Sequence, residues 1–269
     1  VKQTYNLLNE YFDYLMREEF IKKNPMNAVP TIKKSNYLAK QNKEVLPVCE
    51  TITVFTDEEI EKFKAEAYKK YPSGKPKHNQ ASAYILMLNT GLRTAEALGL
   101  INSDIDLEKK VMHIQRGVKE AQKREGTERK SGREIVVGKL KTASSKRIVP
   151  LNETAIQAII ELRNERYFGE DAPLIPDADG NFTRPLNLRK RFYSILDAAG
   201  IKKKGLHSLR HTFATKLVTG VRAEDGTVKA LTPRQGADLL GHTTSEITEM
   251  YYVKRNTDML MGVTNGFEL

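Results

Sequence analysis

The sequence is poor in the residues that form covalent cross-links and metal clusters. Its 269 residues include one cysteine, Cys49, so the chain can form no internal disulfide and offers no cysteine cluster for zinc or an iron–sulfur centre. An oxidising compartment is therefore not implied. No run approaches the roughly 18 consecutive apolar residues of a membrane span, and residues 1–10 are polar and mixed in charge, unlike a signal peptide. These absences predict a cytoplasmic protein without a membrane partner.

Acidic residues are outnumbered by basic ones. The 44 Lys and Arg against 34 Asp and Glu give a formal net charge of +10, an excess that favours a polyanionic partner without identifying one. Hydrophobic residues make up 39% of the chain, enough for the packed core of a globular protein. The sequence also lacks a glycine-rich phosphate loop and paired carboxylates or histidines at metal-ligand spacing. We therefore expect no metal and no other cofactor.

The hydrophobic pattern separates an N-terminal helical segment from a basic linker. Apolar residues at positions 8, 11, 12 and 15 share one face of a helix that continues towards Ile21 and ends near Pro25. Because the chain begins inside this pattern and without Met, we expect residues 1–28 to be the C-terminal part of a helical domain whose earlier helices lie upstream. Residues 29–52 contain two prolines and recurring lysines and predict an extended basic linker.

The next segment, residues 53–253, predicts a compact domain of mixed class, mainly α with a small antiparallel β-sheet. A capping box of Thr56 and Glu59 opens its first helix. The polar segment 119–133 is interpreted as an insertion, and the tail, 254–269, is expected to need a partner surface for order. Expected helices cover 57–71, 81–90, a short stretch after position 94, 153–167, 186–199, 208–219, 233–240 and 245–253, and expected strands cover 111–118, 134–137 and 146–149.

Several cations in the second half of the chain stand beside a glycine or at a predicted helix end, and a pair of tyrosines follows them. Taken singly, each cation is most simply a solvated or capping side chain, and the first tyrosine belongs equally well to the apolar face of the last helix. The residues concerned are Arg93, Lys141, His207, Arg210, His242, Tyr251 and Tyr252.

Taken together, these residues suit the transfer of a DNA phosphodiester to a tyrosine. The reaction needs a phenolic nucleophile and cationic donors around the phosphate oxygens that gain charge in the transition state. Arginine binds a phosphate with two parallel hydrogen bonds and stays charged whatever its neighbours are. A lysine crowded by other cations has a lowered pKa and can protonate the departing 5′ oxygen. The pattern therefore predicts a nucleic-acid strand transferase.

The same residues occur in the order and context of the tyrosine recombinase (phage integrase) family, which this sequence strongly resembles. The resemblance spans about Phe55 to Val253, and Leu8 to Pro25 resembles the end of that family's helical core-binding domain. The runs Leu206-His207-x-x-Arg210-His211-Thr212-Phe213-Ala214-Thr215 and Leu239-Leu240-Gly241-His242 carry most of its specificity. It implies the tyrosine-recombinase catalytic fold for residues 53–253.

The resemblance also implies a role for each matched residue. Arg93 and Arg210 would clamp the scissile phosphate, and His242 would donate a hydrogen bond to it. Glu96, three residues after Arg93, would support the arginine region as the family's buried acid.

The remaining roles concern proton transfer and the nucleophile. Tyr251 would attack the phosphate, His207 would assist proton transfer, and Lys141 would act as general acid from a β-hairpin. The spacing 251 − 242 = 9 favours Tyr251, with the adjacent Tyr252 as the alternative nucleophile. In the hairpin, Lys139 and Lys146 compete with Lys141.

Members of this family act without cofactors, as tetramers on two DNA duplexes. The resemblance therefore implies double-stranded DNA at element ends and target sites as substrate, a homo-tetramer on DNA, accessory DNA-bending factors, and docking of residues 254–269 on a neighbouring protomer. The polar insertion 119–133 and the segment 221–231 lengthen the chain relative to chromosome-resolving members, a pattern typical of integrases of conjugative transposons or phages. The linker would add basic contacts to DNA through Lys33, Lys34, Lys40 and Lys43.

Two other functions agree with parts of the sequence. A type IB topoisomerase would use similar chemistry to relax DNA without exchanging partners. A non-enzymatic regulator would use residues 232–252 as a helix-turn-helix. The second function leaves Arg93, Lys141 and the His-x-x-Arg motif unexplained.

Overall fold

A computed structural model of the chain describes residues 2–29, 53–125, 128–139, 146–222 and 228–241. The chain divides between Pro47 and Val48 into two compact units, each of which is described by itself. The predicted linker lysines and the tail 254–269 lie outside the described residues.

The first unit consists, in its described part, of helix α1 (Lys2–Arg17) and a short 3-10 helix (Pro25–Ala28). The prediction that α1 continues to Ile21 is wrong. The backbone of Phe20 instead donates to the Leu15 carbonyl at 2.9 Å, and Glu19 adopts a positive φ of 59°, a conformation that ends a right-handed helix.

The second unit is mainly helical, as predicted, with small antiparallel sheets. Its described α-helices are α2 (Asp57–Ala67), α3 (Ser82–Thr90), α4 (Thr94–Gly99), α5 (Glu153–Glu165), α6 (Pro185–Ala198), α7 (His207–Thr219) and α8 (Pro233–Leu240). Its described strands are β1 (Ile105–Asp106), β2 (Val111–Ile114), β3 (Arg116–Glu125), β4 (Glu128–Lys139), β5 (Arg147–Pro150), β6 (Val221–Arg222) and β7 (Val228–Lys229).

Helix α3 lies at the centre of this unit and packs against α5 and α7. Nearly all of its side chains are buried, so it shows no polar face. Tyr84 contacts the rings of Phe63 and Phe192, with centroid distances of 6.3 and 5.3 Å, and its hydroxyl donates to the Leu188 carbonyl at 2.7 Å. Aromatic packing of this kind, with the polar group satisfied, fixes α3 relative to α2 and α6.

The predicted β region forms two separate sheets rather than one. Strand β2 pairs antiparallel with β1 and β5, whereas β3 pairs only with β4 in a two-stranded ribbon. The predicted strand 111–118 is therefore split between the sheets. The segment 119–133, interpreted as an insertion, supplies most of the ribbon. Towards the ribbon tip both faces meet solvent, since the consecutive residues Gln122 and Lys123, which point to opposite faces, are both exposed, and this explains why its strands lack hydrophobic alternation.

The start of α2 follows the prediction, but its end does not. The capping box is present: the Thr56 N–H donates to Glu59 Oε2 at 2.9 Å, and the Glu59 N–H donates to Thr56 Oγ1 at 3.2 Å. The helix ends at Ala67 instead of Tyr71. Buried Glu66 accepts from Lys77 at 2.7 Å and contacts the His78 ring at 3.0 Å, and these contacts hold the following chain in a turn beside α2. Tertiary contacts thus override the helical pattern.

Candidate active site

The connection between α3 and α4 carries the first predicted site residue, Arg93. Gly91 ends α3 in the left-handed conformation, with a φ of 63°, and Arg93 stands at the N-cap position of α4. The Arg93 N–H donates to Glu96 Oε2 at 2.9 Å, and Arg93 Nη1 donates to Glu96 Oε1 at 2.7 Å. One carboxylate therefore caps the helix and orients the guanidinium.

Arg210 lies on α7, and its side chain contacts the same connection between α3 and α4. Its residue surface is only 2% exposed. Its Nη1 donates to the Gly91 carbonyl at 2.6 Å, and its Nη2 donates to the Leu240 carbonyl at 2.8 Å. The guanidinium thus links the end of α3 to the end of α8.

Three arginines donate to consecutive carbonyls at the C-terminal end of α8. Arg147 Nε binds the Leu239 carbonyl at 3.0 Å, Arg210 binds that of Leu240, and Arg93 Nη2 binds that of Gly241 at 3.0 Å. The last carbonyls of a helix have no partner within it and carry partial negative charge, so cations are favoured there. Gly241, with a φ of 65°, ends the helix in the left-handed conformation.

Glu96 lies buried between two of these arginines, with its side chain 2% exposed. Besides Arg93, it accepts from Arg147 Nη1 and Nη2 at 3.1 and 3.0 Å. Burial by itself raises the pKa of Glu96, but the hydrogen bonds and charge of Arg147 and the contacts from Arg93 outweigh it and lower this pKa. Glu96 is therefore ionised, and because its single negative charge faces three arginines at the end of α8, two of them in contact with it, the cluster keeps an excess of positive charge.

His207 begins α7 beside this cluster. Its ring meets the His211 ring edge to face, with centroids 4.5 Å apart. Protein atoms displace water from part of the His207 ring, and this desolvation, together with the nearby charges of Arg210 and Arg93, lowers its pKa. For His211, burial and then the neighbouring His207 and Arg210 lower the pKa to about 4. Both rings are therefore neutral at pH 7, and His207 can accept or donate a proton.

The structure thus brings together four of the predicted site residues, Arg93, Glu96, His207 and Arg210. The exposed Lys146, the competitor of Lys141, directly precedes β5. The other candidates lie outside the described residues, as does the second helix of the predicted helix-turn-helix. They are Lys141, His242, Tyr251 and Tyr252.

Arg147 is a member of this cluster that the sequence reasoning did not single out. In the sequence it stands only as one residue of the predicted strand 146–149. A signal was available: side chains alternate along a strand, so Arg147 shares the face of Val149, which is 1% exposed. A charged residue on a buried strand face needs a partner.

Residues 53–258 match the phage integrase family, which is most of the chain. The chain belongs to the phage integrase family. Among the described residues of this integrase-family chain, no group of three or more His, Cys, Asp or Glu is placed to hold a metal ion. Its described helices include none that is long and apolar enough to cross a membrane.

Similar proteins include tyrosine recombinases of the XerC type. The integrase-family chain is 30% identical to a XerC-like tyrosine recombinase of Caldanaerobacter subterraneus, over 94% of this chain and 61% of that protein. It is 25% identical to the tyrosine recombinase XerC of Thermodesulfovibrio yellowstonii, over 93% of this chain and 70% of that protein. The chain therefore spans about three fifths of the length of the first of these relatives.

Solved structures of integrases share the fold. The Tn1549 transposon integrase, in complex with transposon right end DNA, aligns with a TM-score of 0.67 at 20% identity, covering 98% of this chain and 77% of that one. A lambda integrase dimer bound to a core site aligns with a TM-score of 0.57 at 17% identity, covering 94% and 73% of the two chains. These matches agree with the observed architecture, mainly helical with small antiparallel sheets.

The close packing at Gly91 leads to a stability prediction. A Cβ added there would lie 2.4 Å from Phe213 Cδ1 and 2.6 Å from Leu240 Cδ2, at a φ of +63°. We expect Gly91→Ala to lower the free energy of unfolding by about 2 to 4 kcal/mol, because backbone strain and overpacking add. Urea unfolding measures the change.

Gly200→Ala is the matched control, because Gly200 has a φ of +65° with no atom within 4 Å of the added Cβ. It should show the backbone cost alone, about 1 kcal/mol. Equal losses in the two variants would contradict the packing described at Gly91.

Proposed function

We propose that this chain is the catalytic part of a site-specific DNA recombinase that integrates or excises a mobile element. The observation that carries the proposal is the convergence of Arg93 and Arg210, from distant parts of the sequence, on the carbonyls that end α8. With His207 beside them, they form a positively charged site suited to a phosphodiester. Membership of the phage integrase family supports the same reaction.

In the proposed reaction the Tyr251 phenolic oxygen attacks the scissile phosphorus. The bond from phosphorus to the 5′ oxygen breaks, Lys141 protonates that oxygen, and the products are a 3′-phosphotyrosyl link and a free 5′ hydroxyl. His207 assists removal of the tyrosine proton. The 5′ hydroxyl of a second duplex then attacks the link and releases the tyrosine. Because the phosphate ester is retained throughout, the exchange needs no external energy source.

The two arginines differ in how they would serve the phosphate. The Arg93 side chain is 36% exposed, so its guanidinium can approach a phosphate from the protein surface. Arg210 is buried, so its positive charge would stabilise the phosphate through a medium of low dielectric constant. Glu96 supports Arg93, and His242, immediately after Gly241, would donate to the same phosphate.

The domain boundaries and partners of the whole protein also belong to the proposal. Residues 1–28 would complete a helical DNA-binding domain, 29–52 would cross the DNA as a basic linker through Lys33, Lys34, Lys40 and Lys43, and 254–269 would dock on a neighbouring protomer of a homo-tetramer. The Tn1549 integrase structure is a complex with transposon right end DNA, and the lambda integrase dimer is bound to a core site, which supports double-stranded DNA as the partner. We place the protein with integrases of conjugative transposons or phages, acting on DNA in the bacterial cytoplasm with accessory DNA-bending factors.

A nicked, end-labelled duplex tests the reaction. The duplex carries the end sequence of the DNA element that encodes the chain. The nick is placed so that cleavage releases a short fragment with the free 5′ hydroxyl, and the loss of this fragment prevents religation. In buffer containing EDTA we expect a protein–DNA adduct that survives denaturing electrophoresis. A folded preparation that binds the duplex but forms no adduct would favour a regulator over a recombinase.

Intact substrates separate recombination from relaxation. Two labelled duplexes with matching sites should yield strands of exchanged length, whereas a type IB topoisomerase would relax a supercoiled plasmid without exchanging partners.

A further inference from the structure

Arg147 makes three hydrogen bonds to described residues, which lie in two parts of the site. Its Nη1 and Nη2 bind the two oxygens of Glu96 at 3.1 and 3.0 Å, and its Nε binds the Leu239 carbonyl at 3.0 Å. Its side chain is 7% exposed. A buried, bidentate arginine–carboxylate pair fixes both the distance and the orientation of its two side chains.

We propose that Arg147 is a positioning residue of strand cleavage, one that holds Glu96, and through it Arg93, in a fixed place relative to the end of α8. The inference rests on the proposed recombinase function. Arg147 would not touch DNA, since its guanidinium faces the carboxylate and the helix end.

The place of Arg147 in the chain explains why one side chain can align several parts of the site. It begins β5, directly after the segment 140–145 that contains Lys141. Leu239, whose carbonyl it binds, stands three residues before His242. Arg147 therefore belongs to the strand that follows the segment with Lys141. Its guanidinium binds the carboxylate that orients Arg93 and the end of the helix that precedes His242.

The charge balance around Glu96 defines what removal of Arg147 would do. Arg93 and Arg147 contact the carboxylate, and His207 faces it from farther away. Without Arg147, the buried carboxylate keeps one charged partner in contact, so its ionised form becomes less stable. In acidic solution the Glu96 carboxylate would take up a proton, and its ion pair with Arg93 would be lost. A defect caused in this way grows as pH falls.

The test compares Arg147→Met and Arg147→Lys with wild type on the nicked duplex. Single-turnover adduct formation is measured at saturating DNA from pH 6 to pH 9. We expect Arg147→Met to be about 100-fold slower at pH 6, the scale of a misplaced catalytic group, with a smaller ratio at pH 9. Arg147→Lys keeps the charge but not the planar fork, and should recover part of the rate.

Arg116→Met is the matched control. Arg116 binds the buried carboxylate of Asp104 at 2.5 Å, and within the described part of the chain it forms no hydrogen bond or ion pair with Glu96 or α8. This variant should lose stability and keep a wild-type dependence of the rate on pH. If Arg147→Met slows cleavage by the same factor at every pH, or by no more than Arg116→Met, the positioning role is wrong.

Unfolding free energy gives a readout that needs no DNA. In wild type the pKa of Glu96 is lowered on folding, so its ionisation stabilises the fold above its unfolded pKa and that stability is lost as pH falls. The stability deficit of Arg147→Met should therefore be larger at pH 7 than at pH 4. If wild type forms no adduct, the recombinase function itself fails; if wild type is active and the deficit is the same at both pH values, only the role of Arg147 fails.

Discussion

Tyr251→Phe is expected to abolish the covalent adduct while leaving the fold and DNA binding intact. The substitution removes only the phenolic oxygen, which the proposed reaction uses as nucleophile, and no other group of the side chain. Helix α8 ends at Leu240 among three arginines, and Tyr251 stands ten positions after Gly241, a separation of about 15 Å if that stretch is helical and at most about 35 Å if it is extended. The chain after Gly241 is therefore long enough to bring Tyr251 to the phosphate that Arg93 would bind, as the proposed reaction requires.

Tyr252→Phe is the matched control for this prediction, because it removes the same oxygen one position later. Adduct formation on the nicked duplex, followed by denaturing electrophoresis, compares the two variants. Tyr252→Phe should form the adduct at a rate close to wild type. Loss of the adduct in Tyr252→Phe but not in Tyr251→Phe would support the same reaction with Tyr252 as its nucleophile.

Arg210→Met is expected to slow cleavage about 100- to 1000-fold, the usual cost of removing one donor or charge from a transition-state site. Arg210 is buried, so its charge acts at low dielectric, and it holds the carbonyls of Gly91 and Leu240 together. Its loss therefore removes charge and also loosens the junction that carries Arg93. Single-turnover cleavage at saturating DNA measures the effect separately from affinity.

Arg163→Met controls for the loss of an arginine that is partly buried and binds a backbone carbonyl, as Arg210 does. Arg163 donates to the Asn102 carbonyl at 2.9 Å and, among the described residues, forms no hydrogen bond with α8. The variant should be destabilised by a few kcal/mol at most and should cleave DNA at the wild-type rate. Comparable slowing in Arg163→Met and Arg210→Met would mean that the Arg210 effect is one of stability alone.

Three helix boundaries followed from local signals in the sequence. Thr56 with Glu59, Gly91 and Gly241 each end or begin a helix as expected, because caps and left-handed glycines act over a few residues. The predicted end of α2 was wrong, because Lys77 and His78, 11 and 12 positions later, bind Glu66 and turn the chain away from the helix. The ribbon of β3 and β4 was not foreseen, because strands open to solvent on both faces carry no hydrophobic alternation.

The site divides in a similar way. Arg93, Glu96 and Arg210 stand in motifs that the resemblance supplied, and the structure brings them together. Arg147 was missed because its partner Glu96 is 51 positions away, and an ion pair of that kind leaves no periodic pattern in the sequence. The sequence could propose which residues act on a phosphate, but not which contacts hold them in place.

The most direct measurement is to identify the residue that carries DNA in the adduct. After nuclease and trypsin digestion, the peptide from Gln235 to Lys254 contains both candidate tyrosines, and fragmentation in a mass spectrometer distinguishes them. We predict a nucleotide attached through its 3′ phosphate to Tyr251. A nucleotide on Tyr252, or attached through a 5′ phosphate, would contradict the proposed chemistry at that step, and an adduct without any modified tyrosine would contradict the account as a whole.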